Sequence, residues 1–140
     1  MTFHLYYASA IDVCVTEAFE RIAKFKKMFA KYKIEVFGAG FGDSPIIPPN
    51  YTEEYKGVIT AYDFRKIREC DILLVVTDLE TFCGGTMMEL EYARQLGLYT
   101  ILLCPVALKN IFLESLCNKI IHTKRELEEI LKDITREEKI

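Results

Sequence analysis

The chain is poor in the residues that several familiar chemistries require. It has two histidines, His4 and His122, and both fall in apolar, strand-like runs. They read as structural, and a Ser-His-Asp or Cys-His centre is hard to assemble from them. Its five cysteines, Cys14, Cys70, Cys83, Cys104 and Cys117, are odd in number and contain no Cys-x-x-Cys pair. That spacing argues against a disulfide framework and against a zinc site; no metal and no cofactor are expected. Basic charge is not in excess, with 18 Lys and Arg against 21 Asp and Glu and a formal net charge of -3. The Lys24-Phe25-Lys26-Lys27 patch reads as a solvated helix face, so nucleic acid is not an expected partner. No apolar run approaches the ~18 residues of a membrane span, and no charged segment leads into a long apolar one near the start. No membrane association is expected, and the cytoplasm, with its reduced thiols, is the expected compartment.

What is present suits one soluble domain spanning 1–140. The 140 residues are 51% hydrophobic and 28% charged, an ordinary balance for a chain long enough to build a core. Apolar runs alternate with helical patterns. Phe3 to Ala8 reads as a strand ending in the small residues Ala8-Ser9-Ala10. Val15, Phe19, Ile22, Phe25 and Phe29 mark one face of a helix from about Thr16 to Lys31. Lys33 to Phe37 is a second strand, stopped by Gly38-Ala39-Gly40-Phe41-Gly42. Asp43 to Tyr55 is loop-like, with Pro45, Pro48 and Pro49 forbidding regular structure. A loop of that length is either functional or a surface excursion. Helix follows from about Lys56 to Arg68, then a buried strand Asp71-Ile72-Leu73-Leu74-Val75-Val76-Thr77, then helix from Thr86 to about Leu96. Tyr99 to Leu103, a short helix over about Leu108 to Leu116, a strand Lys119 to His122 and a last helix opened by the capping box Thr123-Lys124-Arg125-Glu126 complete the chain. Five strand-helix units predict an α/β fold, a three-layer flavodoxin-like or Rossmann-like domain with a five-stranded parallel sheet in the order 2-1-3-4-5.

The chain is organised around Cys83-Gly84-Gly85-Thr86-Met87-Met88-Glu89-Leu90-Glu91-Tyr92-Ala93. Here a strand ends, two glycines turn the backbone and a helix begins with Glu89 placed in its first turn. Ligands in open parallel sheets sit at the carboxyl ends of strands, against helix N-termini. The dipole at such a position favours an ionised carboxylate, suited to a nucleophile. Thr86-x-x-Glu89 also matches a capping box; both readings are open on this stretch alone. The predicted strand order puts Tyr6, Ala8 and Ser9 on one wall of the crevice and Glu89 on the other.

Three motifs together resemble the nucleoside 2-deoxyribosyltransferases and their relatives that hydrolyse deoxynucleoside 5′-phosphates. They are Leu5-Tyr6-Tyr7-Ala8-Ser9-Ala10, Asp63 followed by Ile67 and Asp71, and the stretch from Cys83 to Ala93; the likeness covers about residues 3 to 122. The resemblance implies Glu89 as nucleophile, Asp63 as a substrate-contacting carboxylate and Tyr6 as the tyrosine that orients nucleophile and sugar. It implies Ala8, Ser9, Cys83, Gly85 and Thr86 around the substrate. Asn110 and Phe112 lie where the family lends residues to a neighbouring subunit's site. It implies a nucleoside or nucleotide substrate and a homodimer or higher homo-oligomer, to which exposed-looking Met87, Met88 and Phe112 would contribute. Departures from the pattern are Cys83 in place of an acidic residue, Glu91 in place of a helix glycine, and Ile11-Asp12 where phosphate-specific relatives carry arginine. Phosphate-specific relatives carry serine at the Cys83 position. Asp12 would repel a 5′-phosphate, which mildly favours a free nucleoside, while the lost acidic residue at Cys83 bears on transferase efficiency. Against this stand two alternatives: a nucleoside monophosphate phosphoribohydrolase, whose Pro-Gly-Gly-x-Gly-Thr-x-x-Glu motif is incomplete here, and a non-catalytic nucleotide-binding module.

Overall fold

The computed structural model describes residues 2–8, 15–38, 41, 52–77, 84–105 and 111–137, with the backbone alone at 15–19, 84–85, 112 and 137. Strands and helices alternate: β1 (His4–Ala8), α1 (Val15–Lys31), β2 (Glu35–Phe37), α2 (Glu53–Arg68), β3 (Ile72–Val76), α3 (Gly84–Leu96), β4 (Tyr99–Leu103), α4 (Ile111–Leu116), β5 (Lys119–Ile121) and α5 (Lys124–Glu137). All strand pairs are parallel and the order is β2-β1-β3-β4-β5, as the alternation predicts. Helices cover both faces of the sheet, so its central strand has no solvent side. Accordingly β3 reads Ile-Leu-Leu-Val-Val and is buried at every position.

Alternation along β1 sorts the core into two layers. Leu5 and Tyr7 pack with Phe25 and Phe29 of α1 and with Leu127 and Leu131 of α5. Tyr6 and Ala8 face the opposite layer, with Ile67 of α2 and Leu90 and Ala93 of α3. The pairing of Tyr6 with Leu73 fixes this register. A one-residue slip would move Tyr6 to the wrong layer. β1 and β3 are neighbours from which the chain departs to opposite sides, so they flank the switch point where such sheets bind ligands.

Several boundaries differ from the sequence expectation, each for a local reason. Helix α2 begins three residues before Lys56. Thr52 caps it by accepting a hydrogen bond from the Tyr55 amide at 3.1 Å, and Glu53 and Glu54 sit in its first turn, where the dipole favours negative charge. Glu53, Glu54 and Tyr55 are therefore helical; the rest of the proline-containing loop, 43–51, lies outside the described residues. Strand β2 starts at Glu35, because Lys33 has φ +56° and ends α1 in a left-handed turn, with the Ile34 amide donating to the Phe29 carbonyl at 3.0 Å. Gly38 has φ +122°, and a Cβ there would run into the Tyr7 carbonyl, so only glycine fits this close approach. Thr123 caps α5, and Glu126 reaches back to the Thr123 hydroxyl and the His122 amide in a variant of the predicted capping box. The Glu126 amide donates to Thr123 Oγ1 at 3.2 Å, and Glu126 Oε1 accepts from Thr123 Oγ1 at 3.1 Å and from the His122 amide at 3.3 Å.

Both histidines tie parts of the sheet together. His4 Nε2 lies 3.0 Å from Glu35 Oε2 on β2, while the His4 amide donates to Asp71 Oδ2 at the start of β3. His122 Nδ1 lies 2.9 Å from the Cys104 carbonyl.

Candidate active site

Three elements meet on one face of the sheet, each with a polar group where an apolar one would ordinarily pack. Helix α2 buries Ile59 and Ile67, and Asp63 lies midway between them, four residues from each, on the same stripe. Helix α3 buries Thr86, Leu90 and Ala93, and Glu89 shares their face at i+3 from Thr86 and i−4 from Ala93. Strand β1 sends Tyr6, 2% exposed, into the space between these helices. The Tyr6 hydroxyl faces both Glu89 and Asp63, whose carboxylates act on it by charge and by hydrogen bonding. The sequence thus placed these three residues on separate elements, and the fold brings them into one cluster.

Burial governs the electrostatics of that cluster. Removal from water pushes the Glu89 carboxyl up to about 7, the hydrogen bond from Tyr6 pulling it back and the Asp63 charge pushing it further up. Burial likewise raises Asp63 to about 6, against the opposing hydrogen bond from Tyr6. Tyr6 is raised far above the usual phenol range by burial and by the two carboxylates, so it stays protonated. A phenol has one proton and faces two carboxyl groups here. When it donates to one, the other can complete its bond only by bringing a proton of its own. The arrangement suits a pair of carboxyl groups that holds one proton near neutral pH.

The electrostatic expectation for Glu89 needs correction. Helix α3 begins at Gly84, two residues earlier than the pattern predicts, and has no acidic residue in its first turn. Thr86 is thus already helical, and no Thr86–Glu89 capping box opens the helix. Glu89 lies in the second turn, beyond the range over which the dipole acts strongly. Desolvation dominates instead, and it raises rather than lowers the tendency to hold a proton.

The other predicted residues fall as follows. Ala8 ends β1, buried on the same side as Tyr6 and paired with Val75. Thr86, the third residue of α3, is buried. Gly85 is the second residue of α3 and Phe112 the second of α4, with only their backbones described. Ser9, Asp12, Cys83 and Asn110 lie outside the described residues. Glu91 turns to solvent and is pushed down to about 2 by hydrogen bonds from Arg94, at 2.8 Å, and Gln95, at 3.0 Å; this departure from the family glycine does not intrude on Tyr6. Met87 packs against the core while Met88 is exposed. Among the described residues, no group of three His, Cys, Asp or Glu side chains is placed to hold a metal ion.

Sequence reasoning missed the contact that joins the two carboxylate-bearing helices. The rings of Phe64 and Tyr92 meet edge-to-face with centroids 4.9 Å apart, and Arg68 Nη1 donates to the Tyr92 hydroxyl at 3.1 Å. The only available signal was position: Phe64 follows Asp63, and Tyr92 stands one helical turn after Glu89.

No family model and no curated protein matches the chain. Solved structures do. The 2-deoxyribosyltransferase of Bacillus psychrosaccharolyticus superposes with a TM-score of 0.75 at 17% identity, over 89% of this chain and 90% of that one. The chain has the fold of a 2-deoxyribosyltransferase. A conserved protein of Enterococcus faecalis V583 matches with a TM-score of 0.72 at 12% identity, over 95% of this chain and 99% of its own. The CMP N-glycosidase of Clostridium botulinum matches with a TM-score of 0.64 at 20% identity, over 92% and 97%. The fold is therefore the one that the motif resemblance implies.

Proposed function

We propose that this chain cleaves the N-glycosidic bond of a 2′-deoxynucleoside and passes the deoxyribosyl group to another nucleobase or to water. The observation that carries this reading is the convergence of buried Tyr6 with Glu89 and Asp63, whose carboxylates act on its hydroxyl, beside the switch point of a sheet with a deoxyribosyltransferase fold. Ionised Glu89 attacks C1′; the C1′–O bond forms as the C1′–N bond breaks, and the electron pair goes to the base nitrogen. The departing base takes up a proton, and the one held by the Asp63–Glu89 pair sits on Asp63 when Glu89 is ionised. An incoming base, or water, then displaces Glu89 from C1′ with net retention, and the proton it loses returns to Asp63. Tyr6 donates to the nucleophile and holds its orientation. Ala8, Ser9, Cys83, Gly85, Thr86, Asn110 and Phe112 are assigned to substrate binding from the sequence motifs.

The substrate is a small nucleoside or nucleotide, and the working form is a homo-oligomer. Val58, Met88 and Ile111, on α2, α3 and α4, are 61%, 65% and 75% exposed, large apolar side chains that a second copy could cover. No described helix is long and apolar enough to cross a membrane, and the cytoplasm is the compartment we assign. The CMP N-glycosidase neighbour favours a second reading, hydrolysis of a nucleoside 5′-monophosphate. The test is incubation with a panel of 2′-deoxynucleosides, ribonucleosides and their 5′-monophosphates, with and without an acceptor base, followed by chromatography of free bases. Base release from a deoxynucleoside, with exchange when acceptor is added, is expected. Release only from monophosphates selects the second reading, and no release from any member of the panel overturns both.

A further inference from the structure

The two carboxyl groups reach Tyr6 from different helices, so their separation depends on how α2 and α3 are held together. Beyond the apolar packing of that layer, the described contacts across this seam converge on one side chain. Tyr92 receives the edge-to-face ring of Phe64, at 4.9 Å and 80°, and a hydrogen bond from Arg68 at 3.1 Å. Both partners belong to α2, one beside Asp63 and the other one turn further along. Both rings also lean on the buried layer that contains Tyr6, Ile67, Leu90 and Ala93. Tyr92 itself is one turn from Glu89 on α3. A displacement of α3 along or away from α2 must break the ring contact, the Arg68 bond, or both.

We propose that Tyr92, gripped by Phe64 and Arg68, is a positioning residue that sets the distance between Asp63 and Glu89 by locking α2 to α3. The role rests on the reading of Asp63 and Glu89 as the reacting pair, but its physical content does not need turnover to be observed. Loosening the lock admits water between the helices and lets the carboxyl groups separate. Desolvation and mutual repulsion then both weaken, and both are causes of the raised Glu89 value. Reacting atoms held only 1 Å off their productive placement can cost on the order of a hundredfold in rate.

The test compares the wild-type protein with Tyr92→Leu, Tyr92→Phe, Phe64→Leu and, as a packing control in the opposite layer, Ile130→Ala. Carboxyl titration is followed by carbon NMR on side-chain-labelled protein, with the Glu89 signal assigned through Glu89→Gln. Tyr92→Leu is expected to lower the Glu89 midpoint by about one pH unit or more towards the ordinary carboxylate range. It should also reduce kcat about tenfold or more while KM stays within about threefold, the pattern of a lost transition-state placement. Tyr92→Phe keeps the ring contact and loses the Arg68 bond, so it should fall between wild type and Tyr92→Leu. Ile130→Ala should lower Tm and leave the midpoint alone. If Tyr92→Leu lowers Tm as the control does, with midpoint and kcat unchanged, the proposal is overturned. Should Tyr92→Leu fail to fold, Phe64→Leu, which removes the ring from the α2 side, decides by the same measurement. A protein inert on every nucleoside whose midpoint nevertheless moves in Tyr92→Leu would sink the glycosyl-transfer reading and leave the lock standing.

Discussion

Replacing Glu89 by glutamine should stabilise the protein at alkaline pH and abolish its activity, and the two effects separate catalysis from packing. The folded-state value of Glu89 is about 7 against 4.5 for the free side chain. Below pH 4.5 both folded and unfolded chains carry the proton and the group is neutral to stability. As pH rises past 4.5 the unfolded chain ionises first, so the folded state binds more protons and stability falls. The loss ends once pH passes about 7, where the folded carboxyl ionises too. At ~1.36 kcal/mol per pKa unit, the shift corresponds to about 3 kcal/mol between its acid and alkaline limits, an upper bound for a half-buried group. Glutamine removes this titration while keeping the shape. Denaturant unfolding of both proteins at pH 5 and pH 8 should show Glu89→Gln gaining about 2 kcal/mol relative to wild type over that interval. Glutamine cannot form the glycosyl ester, so turnover should fall by about three orders of magnitude or more at every pH. The acid limb of kcat/KM in the wild-type protein should lie near neutrality, above the ordinary glutamate range. A stability difference that is flat from pH 5 to pH 8 would show that Glu89 is not desolvated in the fold. Retention of more than about a tenth of wild-type turnover would remove it from the chemistry.

Tyr6→Phe removes the hydroxyl whose hydrogen bonds lower both Glu89 and Asp63, so the acid limb of the rate profile should move to higher pH and kcat should fall by about ten- to a thousandfold; an unmoved limb refutes the shared hydrogen bond. Thr100→Val breaks the buried link in which Thr100 Oγ1 contacts the Leu116 carbonyl at 2.9 Å and Asn118 Oδ1 at 3.0 Å, and should cost about 1–3 kcal/mol in chemical denaturation with kcat little changed. Met88→Lys places a charge on the apolar surface of α3, where Met88 is 65% exposed, and should shift the protein towards monomer in light scattering; a wild-type protein that is already monomeric at micromolar concentration rules out that interface. With Asp12 and Cys83 standing where phosphate-specific relatives carry arginine and serine, a free 2′-deoxynucleoside should turn over faster than its 5′-phosphate. A rate about ten times higher on the phosphate reverses that assignment.

The fold was legible because its signals are local and mutually consistent. Continuous apolar strands, helices with one apolar face and the Thr123–Glu126 capping box each follow from a few neighbouring residues, and five strand-helix units admit few topologies. The candidate site was legible only in part. Asp63 between Ile59 and Ile67, and Glu89 among Thr86, Leu90 and Ala93, are visible as carboxylates on buried stripes once the helical period is counted, yet each pattern also describes a polar residue at the edge of such a stripe. What the sequence could not express is distance: that Tyr6 on β1 reaches both groups depends on the register of Tyr6 with Leu73 and on the spacing of α2 from α3. The error over the charge of Glu89 has the same origin. A helix start misplaced by two residues put the carboxylate in the first turn, where the dipole stabilises its charge. The true start at Gly84 puts it in the second turn, where burial beside Asp63 counts for more. The boundary shift of half a turn, within the ordinary uncertainty of helix ends, removes the dipole argument, and burial sets the sign of the perturbation. The protonation of Glu89 is decided by the packing of two helices and not by the motif that contains it.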